Sequence, residues 1–201
     1  MVIIFAVLAG FVLAIIAPWL HRLARGATGW LLALLPAGLA VYFASLLGSV
    51  AHGEAIMVSR PWATGLGINL SFYIDGLSLL FAFMITGIGA LVIIYAGSYL
   101  AGKPQLTRFY TLVLMFMASM LGVVLAGNLI TIFVFWELTS LTSFLLIGLD
   151  HDRPGARAAA LQALLVTGGG GLALMAGLLL LGQIGGSLEL AALLSNGSAV
   201  R

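Results

Sequence analysis

The sequence contains no cysteine, which excludes disulfides, thiolate zinc sites and cysteine-ligated iron–sulfur clusters. Charge is also scarce, because Asp, Glu, Lys and Arg make up only 7% of the 201 residues, whereas soluble domains average about 25%. So few charges cannot cover a surface that faces water. Since 63% of the residues are hydrophobic, the composition predicts an integral membrane protein. The net charge of +2 gives no reason to expect a nucleic-acid partner.

Six apolar segments are each long enough to cross a membrane, because about 20 residues span the hydrocarbon core. We predict an all-α membrane protein with six transmembrane helices at residues 2–20, 30–50, 77–98, 109–127, 129–149 and 158–182. The first segment has no preceding basic residue and no small-residue cleavage pattern, so we interpret it as a retained helix. The predicted regions are two helices (1–50), a loop (51–76), four helices (77–182) and a tail (183–201).

The basic residues predict how these helices are oriented. Six of them fall on one set of connections: Arg22, Arg25, Lys103, Arg108, Arg153 and Arg157. The other side carries Arg60 and Arg201. Because cytoplasmic loops are enriched in Lys and Arg, we expect the N-terminus, the loop and the tail to lie outside. We expect a multi-pass arrangement in the lipid bilayer of a cell membrane, the bacterial inner (plasma) membrane.

The predicted loop contains a strand-like pattern, in which apolar and polar residues alternate from Ile68 to Asp75. The preceding segment, MVSRPWA, is able to pair with it as a short β-hairpin, with Pro61 restricting that segment to an edge strand. An irregular loop lying on the helix ends is the alternative. Further along, Gly127-Asn128 is a very short turn, so the fourth and fifth helices should be antiparallel neighbours.

A carboxylic acid, Glu137, lies close to the middle of the apolar stretch FVFWELTSLTSFLLIG. At about 1.5 Å per residue it is roughly 12 Å from the outer end of its helix. A charge at that depth costs at least about 2.5–3.5 kcal/mol, so such residues usually face a protein interior or a hydrated cavity. On the helix, Ser140 lies near Glu137, and four other polar residues cluster on the opposite side: Thr131, Thr139, Thr142 and Ser143. We therefore expect this helix to be enclosed by other helices.

Two interpretations of Glu137 follow from its depth. As a proton relay, it would bind a proton when buried and release it when a cation approaches, because burial raises a carboxyl pKa and a cation lowers it. As a packing device, it would stay protonated and hydrogen-bond a neighbouring helix, as the threonines and serines around it do. No basic residue of the sequence lies at that depth, so a cationic partner is expected outside these 201 residues.

The sixth helix carries four consecutive glycines near mid-membrane, from Gly168 through Gly169 and Gly170 to Gly171. Each glycine costs a helix up to about 1 kcal/mol relative to alanine. Close helix approach, for which small residues are common in membranes, is the favoured explanation, and a locally loosened helix is the alternative. Gln162, one turn from the cytoplasmic end, either lines an entry path or hydrogen-bonds a neighbour.

Three stretches together carry a family resemblance: FYIDGLSLLFAFMITGIGALVIIYAGSYL, FYTLVLMFMASMLGVVLAGNLITIFVFWELTSLTSFLLIG and ALLVTGGGGLALMAG. They resemble the beginning of the antiporter-like subunits shared by complex I and the Mrp sodium/proton antiporters. Within that superfamily the chain is most similar to the A-type subunits of the Mrp antiporters. The complex I subunits typically carry a lysine at the position of Gln162 and an arginine at that of Gly168, which counts against a plain complex I assignment.

The resemblance implies roles for two acids. Glu137 matches the family glutamate that pairs with a lysine of the seventh helix during proton transfer, and Asp75 matches an aspartate with a structural role. From helix chemistry alone, Asp75 is also a suitable N-cap of the third helix. Family members have about fourteen helices in each antiporter module, so the resemblance implies that this chain is an N-terminal part of a longer protein and forms a partial module.

Three functional hypotheses remain. The first is one subunit of an antiporter complex that exchanges Na+ for H+ and works with other membrane subunits, with a proton-pumping subunit of a complex I-type oxidoreductase as its nearest alternative. The second is a redox enzyme, which the positions of His21, His52 and His151 outside the membrane disfavour because no haem ligands remain there. The third is a structural or assembly subunit. We favour the transporter, with no cofactor and no metal site.

Overall fold

The computed structural model describes residues 2–53, 55–63, 65 and 68–195. Within them, six helical stretches are long and apolar enough to cross a membrane, which confirms the predicted number. Their bounds are Val2–Ala24, Thr28–Ala51, Gly76–Tyr99, Leu106–Leu125, Leu129–Ile147 and Pro154–Gly185. The elements in chain order are α1 (Val2–Ala24), a 3-10 turn (Arg25–Ala27), α2 (Thr28–Ser45), α3 (Leu47–Ala51), β1 (Ile56–Ala63), β2 (Ile68–Ile74), α4 (Gly76–Tyr99), α5 (Leu106–Leu125), α6 (Leu129–Ile147), α7 (Pro154–Gly185) and α8 (Leu190–Ser195).

Local chemistry explains where the last long helix begins and ends. α7 starts four residues before the predicted bound because Pro154 occupies its first turn, where the missing N–H of proline has no helical partner to lose. It ends where Gly186 adopts φ +68°, the left-handed conformation that terminates many helices. The helix is 32 residues long and continuous through the four glycines.

The helices pack around α5, which contacts α1, α4 and α6. α2 packs on α4, and α7 packs on α6. Bare backbone permits the closest of these approaches. A Cβ atom at Gly122 of α5 would overlap the ring of Phe135 on α6, and one at Gly10 of α1 would lie 2.7 Å from the Cβ atom of Ala118. The bundle is therefore tightest at α5.

The segment between α3 and α4 is an antiparallel hairpin, one of the two arrangements left open from its sequence pattern. β1 and β2 pair from Ile56 opposite Ile74, with a register irregularity between Pro61 and Ala63. β2 is the inner strand, because Phe72 and Ile74 are buried in the core. The proline lies on the outer strand, where its missing N–H removes no bond to the bundle.

Backbone hydrogen bonds join the hairpin to two other connections. The N–H of Gly127, in the α5–α6 turn, donates to the carbonyl oxygen of Ser71 at 2.7 Å. The N–H of Leu190 donates to the carbonyl oxygen of Gly127 at 2.8 Å, and that of Leu129 donates to Leu188 at 2.9 Å. We call this region the hairpin end.

The opposite end of the bundle carries the connections 25–27, 100–105 and 148–153. Five basic residues with described side chains lie there and define what we call the basic end: Arg22, Lys103, Arg108, Arg153 and Arg157. Arg60 is on β1, at the hairpin end. The basic end is thus the end that the sequence analysis assigns to the cytoplasm, and the outside location of the N-terminus stays a prediction.

Candidate functional site

The predicted site is built on α6, whose start is fixed by a side chain. The Oδ1 atom of Asn128 accepts hydrogen bonds from the N–H groups of Ile130 at 3.0 Å and Thr131 at 3.4 Å. It therefore caps two of the N–H groups that a helix start leaves without partners. Glu137 is the ninth of the 19 residues of α6, so it lies in the middle of this helix.

The carboxyl group of Glu137 lies against the backbone of α7. Its Oε1 atom is buried and has no hydrogen-bond partner among the described residues. A Cβ atom added to Gly171 would collide with this oxygen, whereas Cβ atoms at Gly168, Gly169 and Gly170 would meet nothing within 4 Å. Of the four glycines, Gly171 is thus the one whose missing side chain makes room for the acid.

The hydroxyl side chains around Glu137 are satisfied by their own helix. Thr139 donates to the carbonyl oxygen of Trp136 at 2.7 Å, and Ser140 donates to the same oxygen at 3.2 Å. Thr142 donates to Leu138 at 2.7 Å. None of these hydrogen bonds includes the Glu137 carboxyl. Such bonds to the preceding turn let hydroxyls sit in an apolar environment, so Thr139 and Ser140 support α6 rather than bind the acid.

The described part of the chain covers α6 on two sides only, and its enclosure by further helices stays a prediction. α6 packs between α5 and α7, and it leaves Trp136 and Leu141 exposed at 40% and 48%. The α6 backbone accepts the hydrogen bonds of Thr139, Ser140 and Thr142, so these three hydroxyl groups need no partner on another helix. Glu137 itself is half-buried, at the seam where α7 meets α6.

No cation accompanies Glu137 in the described residues. Their two ion pairs, His151 with Asp152 at 3.5 Å and Arg153 with Asp150 at 2.8 Å, lie at the basic end. Gln162 is exposed on α7, nine residues and about 13 Å along the helix from Gly171, so it does not reach the acid. The described residues also hold no group of three His, Cys, Asp or Glu side chains that could bind a metal ion.

Asp75 caps α4 in a reciprocal arrangement. Its Oδ1 atom accepts the N–H of Ser78 at 2.8 Å, and the hydroxyl oxygen of Ser78 accepts the N–H of Asp75 at 2.8 Å. This capping box satisfies two N–H groups at the start of the helix. Asp75 is thus engaged in holding α4 below the hairpin and is separate from the Glu137 seam.

A second acid, Glu189, was not singled out from the sequence. Its Oε1 atom accepts three hydrogen bonds, from Asn69 Nδ2 at 3.1 Å, Ser71 Oγ at 3.0 Å and Asn128 Nδ2 at 2.9 Å. Ser71 and Asn128 are fully buried. We call these four residues the hairpin-end cluster. The signal available in the sequence was the polar face of β2 together with a lone acid in an apolar tail.

The hairpin-end cluster connects directly to α6. Asn128 contributes its amide N–H to Glu189 while its oxygen caps α6, and Thr131 donates to the carbonyl oxygen of Asn69 at 3.1 Å. Three donors therefore converge on a single carboxyl oxygen of Glu189. Its chemistry is that of a clamp on the ends of α6 and α7.

Two family descriptions match the chain. Residues 62–110 match the N-terminal region of chain 5 of NADH-ubiquinone oxidoreductase (complex I). Residues 126–200 match the transmembrane region of the NADH:quinone oxidoreductase/Mrp antiporter family. The second match contains both Glu137 and Glu189.

Named relatives and a solved structure agree with these matches. The chain is 44% identical over 193 residues to the A-type subunit of the Na(+)/H(+) antiporter of Alkalihalophilus pseudofirmus, covering 95% of this chain and 24% of the relative. It is 44% identical over 195 residues to the A/B-type subunit of the probable K(+)/H(+) antiporter of Rhizobium meliloti, covering 97% of this chain and 20% of the relative. A chain in the structure of the Mrp complex from Dietzia sp. superposes with a TM-score of 0.84 at 34% identity, covering 96% of this chain and 21% of that one.

The chain thus spans about a quarter or less of the length of the relatives it matches. Over that length the helices, the sequence and the family descriptions coincide. The chain belongs to the family of antiporter-like membrane subunits shared by NADH:quinone oxidoreductases and Mrp antiporters.

Proposed function

We propose that this chain is part of one subunit of an antiporter complex, which exchanges a monovalent cation, Na+ or K+, for protons across the cell membrane. The names of the relatives support this exchange, since one belongs to a sodium antiporter and another to a probable potassium antiporter. The Mrp complex of Dietzia sp. supports a role beside other membrane subunits. The observation that carries the proposal is the Glu137 carboxyl in the middle of α6, against the bare backbone of Gly171.

Glu137 is proposed to load and unload a proton. At mid-membrane an uncompensated carboxylate costs at least about 2.5–3.5 kcal/mol, so the acid holds its proton while no cation is near. A cation that approaches stabilises the carboxylate and releases the proton. Because the described residues present no Lys or Arg at this depth, the cation comes from another helix or from the transported ion itself.

Gly171→Ala tests the seam between α6 and α7. The new Cβ atom would occupy the place of the Glu137 oxygen, and displacing a packed group typically costs about 1–3 kcal/mol. We expect cation/proton exchange to fall at least about fivefold, the factor that corresponds to roughly 1 kcal/mol. Gly169→Ala is the matched control, because a Cβ atom there meets nothing within 4 Å. Equal exchange by the two variants would contradict the proposed seam.

The function itself is tested in inverted membrane vesicles that contain the assembled complex. After a pH gradient is established, adding Na+ or K+ should collapse it only when the complex is present. A response to one cation would identify the transported ion. A gradient that neither cation changes would overturn the antiporter proposal.

A proton-pumping subunit of an NADH:quinone oxidoreductase is the second candidate, because residues 62–110 match the complex I description. This chain carries the neutral residues Gln162 and Gly168, where the family resemblance leads one to expect a lysine and an arginine in complex I subunits. The same vesicles separate the candidates, since such a subunit would acidify the lumen when NADH reduces quinone and would not respond to an added cation.

Cysteine labelling tests the proposed orientation, and because these 201 residues contain no cysteine, each variant is compared with the unsubstituted protein as its background. Met57 on β1 is 48% exposed, and the Asp152 side chain at the basic end is 83% exposed. An impermeant maleimide should label Met57→Cys in intact cells and Asp152→Cys only after permeabilisation. The reverse pattern would place the N-terminus inside.

A further inference from the structure

A cleft of about 770 Å³ opens at the basic end, between the C-terminal end of α1 and the α4–α5 connection. Its lining includes His21, Arg22, Gly97, Lys103, Leu106 and Tyr110. Tyr110 and Leu106 form a buried floor. Arg22 and Lys103 are exposed and form its rim. The volume is within the range of about 300–1,000 Å³ that is usual for small-molecule sites.

Bare backbone shapes the floor of this cleft. Cβ atoms at Gly29 and Gly97 would lie 2.9 and 3.0 Å from the Tyr110 hydroxyl oxygen, so the two glycines hold the phenol between α2 and α4. His21 is fixed beside it, with Nδ1 3.2 Å from the hydroxyl oxygen of Thr28 and its ring 6.2 Å from the Tyr110 ring. The floor is therefore a fixed surface of packed side chains.

The charge of the cleft is of one sign. Neither Asp nor Glu is among its lining residues, and the ion pairs of the described residues lie elsewhere. Lys103 is held with Nζ 5.2 Å from the centre of the Tyr99 ring. Basic residues near helix C-termini complement the helix dipole and set topology, but neither role requires an open cleft between them. Arg153, by contrast, is paired with Asp150 at 2.8 Å.

The start of α5 adds to the attraction for an anion. Its first residue, Leu106, lines the cleft, and Gln105 before it provides no side-chain cap. The N–H of Leu106 already donates to the carbonyl oxygen of Lys103 at 3.2 Å, so α5 contributes the positive end of its helix dipole, which favours a negative group nearby. This contribution reinforces the Arg22 and Lys103 rim, which carries the larger charge.

We propose that the cleft binds the phosphate group of an anionic molecule at the membrane surface. Arg22 supplies a planar, fork-shaped donor that matches phosphate oxygens, and Lys103 supplies a point charge. Basic pockets between transmembrane helices on the cytoplasmic side bind the headgroups of anionic lipids, and a soluble phosphate offers the same chemistry. The proposal is independent of the exchange reaction, because the cleft is at the helix ends and Glu137 is in the middle of α6.

Photo-crosslinking tests the site in the assembled complex. A phosphatidylglycerol analogue with a photoreactive headgroup should label a peptide covering 97–110, whereas the matching phosphatidylcholine analogue should not. Arg22→Gln with Lys103→Gln should lower the labelling about 25-fold, since each cation near an anionic surface contributes about fivefold (roughly 1 kcal/mol). Arg153→Gln with Arg157→Gln is the control, because it removes two arginines that do not line the cleft. It should change the labelling by less than about twofold, since only cations close to the phosphate contribute strongly.

Binding of radiolabelled inorganic phosphate distinguishes the two sources. If phosphate binds the wild-type complex, displaces the lipid analogue and is lost in the Arg22→Gln, Lys103→Gln variant, the site is one for soluble phosphate. If phosphate has no effect on lipid labelling, the site is one for a lipid headgroup. Equal labelling by both lipid analogues, an equal loss in the control variant, or binding of neither probe would overturn the proposal.

Discussion

Glu137→Gln should abolish most cation/proton exchange by the assembled complex, and Glu137→Asp should retain part of it. Glutamine preserves the shape and hydrogen-bonding capacity of the side chain but cannot release a proton. A positioned proton-transfer group typically contributes about 100-fold or more to a rate, so we expect a loss of that order. Aspartate keeps a titratable carboxyl group and withdraws it by one methylene from the Gly171 backbone.

The packing interpretation of Glu137 predicts the opposite order. If the acid only fixes α6 against α7, glutamine should be tolerated because it still donates and accepts hydrogen bonds. Aspartate, which is shorter, should then leave a gap at the seam and weaken assembly. The two interpretations predict opposite rankings of Glu137→Gln and Glu137→Asp, so the test does not depend on absolute rates.

Exchange is measured as the collapse of a pH gradient in vesicles after Na+ or K+ is added, with the amount of assembled complex determined by gel analysis of the same membranes. Thr139→Val is a useful control, because the Thr139 hydroxyl is bonded to the backbone of its own helix and should be dispensable for proton transfer. Full exchange by an assembled Glu137→Gln complex would end the relay hypothesis.

Glu189→Leu should destabilise the fold more than any other single change at the hairpin end. Removing the carboxyl group leaves the fully buried amide of Asn128 without its acceptor, whereas Ser71 keeps Ser59 as a partner at 2.8 Å and Asn69 is only half-buried. A buried unsatisfied donor costs about 1–3 kcal/mol, and Asn128 contributes that much, in addition to the hydrogen bonds that Asn69 and Ser71 lose. The expected result is a large fall in the unfolding temperature or failure to accumulate in the membrane.

Glu189→Gln is the matched variant for this prediction. Its amide oxygen can still accept hydrogen bonds in the place of Oε1, so the donors of the cluster keep an acceptor. We expect thermal unfolding to place it between the wild type and Glu189→Leu. If Glu189→Leu unfolds at the wild-type temperature, the hairpin-end cluster is not a clamp.

What the sequence could predict depends on how far apart the cooperating residues are. The six spans follow from apolar length alone, and the Asp75 cap follows from a serine three residues later, so both are local. The alternation of β2 was visible, but its pairing with β1 was not decided, because Pro61 fits an edge strand or a loop equally well.

The features that escaped prediction are long-range. Glu189 accepts a hydrogen bond from Ser71, which is 118 residues away, and no local sequence pattern predicts this contact. The four glycines are identical in sequence, yet only Gly171 faces the Glu137 carboxyl, because the rotation of α7 about its axis is set by its packing on α6. The hydroxyl groups of α6 show the same distinction, since Thr139 bonds to its own helix whereas Thr131 bonds to the carbonyl oxygen of Asn69, which is 62 residues away.

The separation between Ser71 and Glu189 also sets an order of events during synthesis. At about 5–20 residues per second, the ribosome needs roughly 6–24 s to make the 118 residues between them. Until α7 has crossed the membrane, the side-chain amides of Asn69 and Asn128 lack Glu189 as their acceptor and donate to water instead. The hairpin end is therefore the last part of this region to fold. In nascent chains that stop before Glu189, the hairpin end should be accessible to proteases.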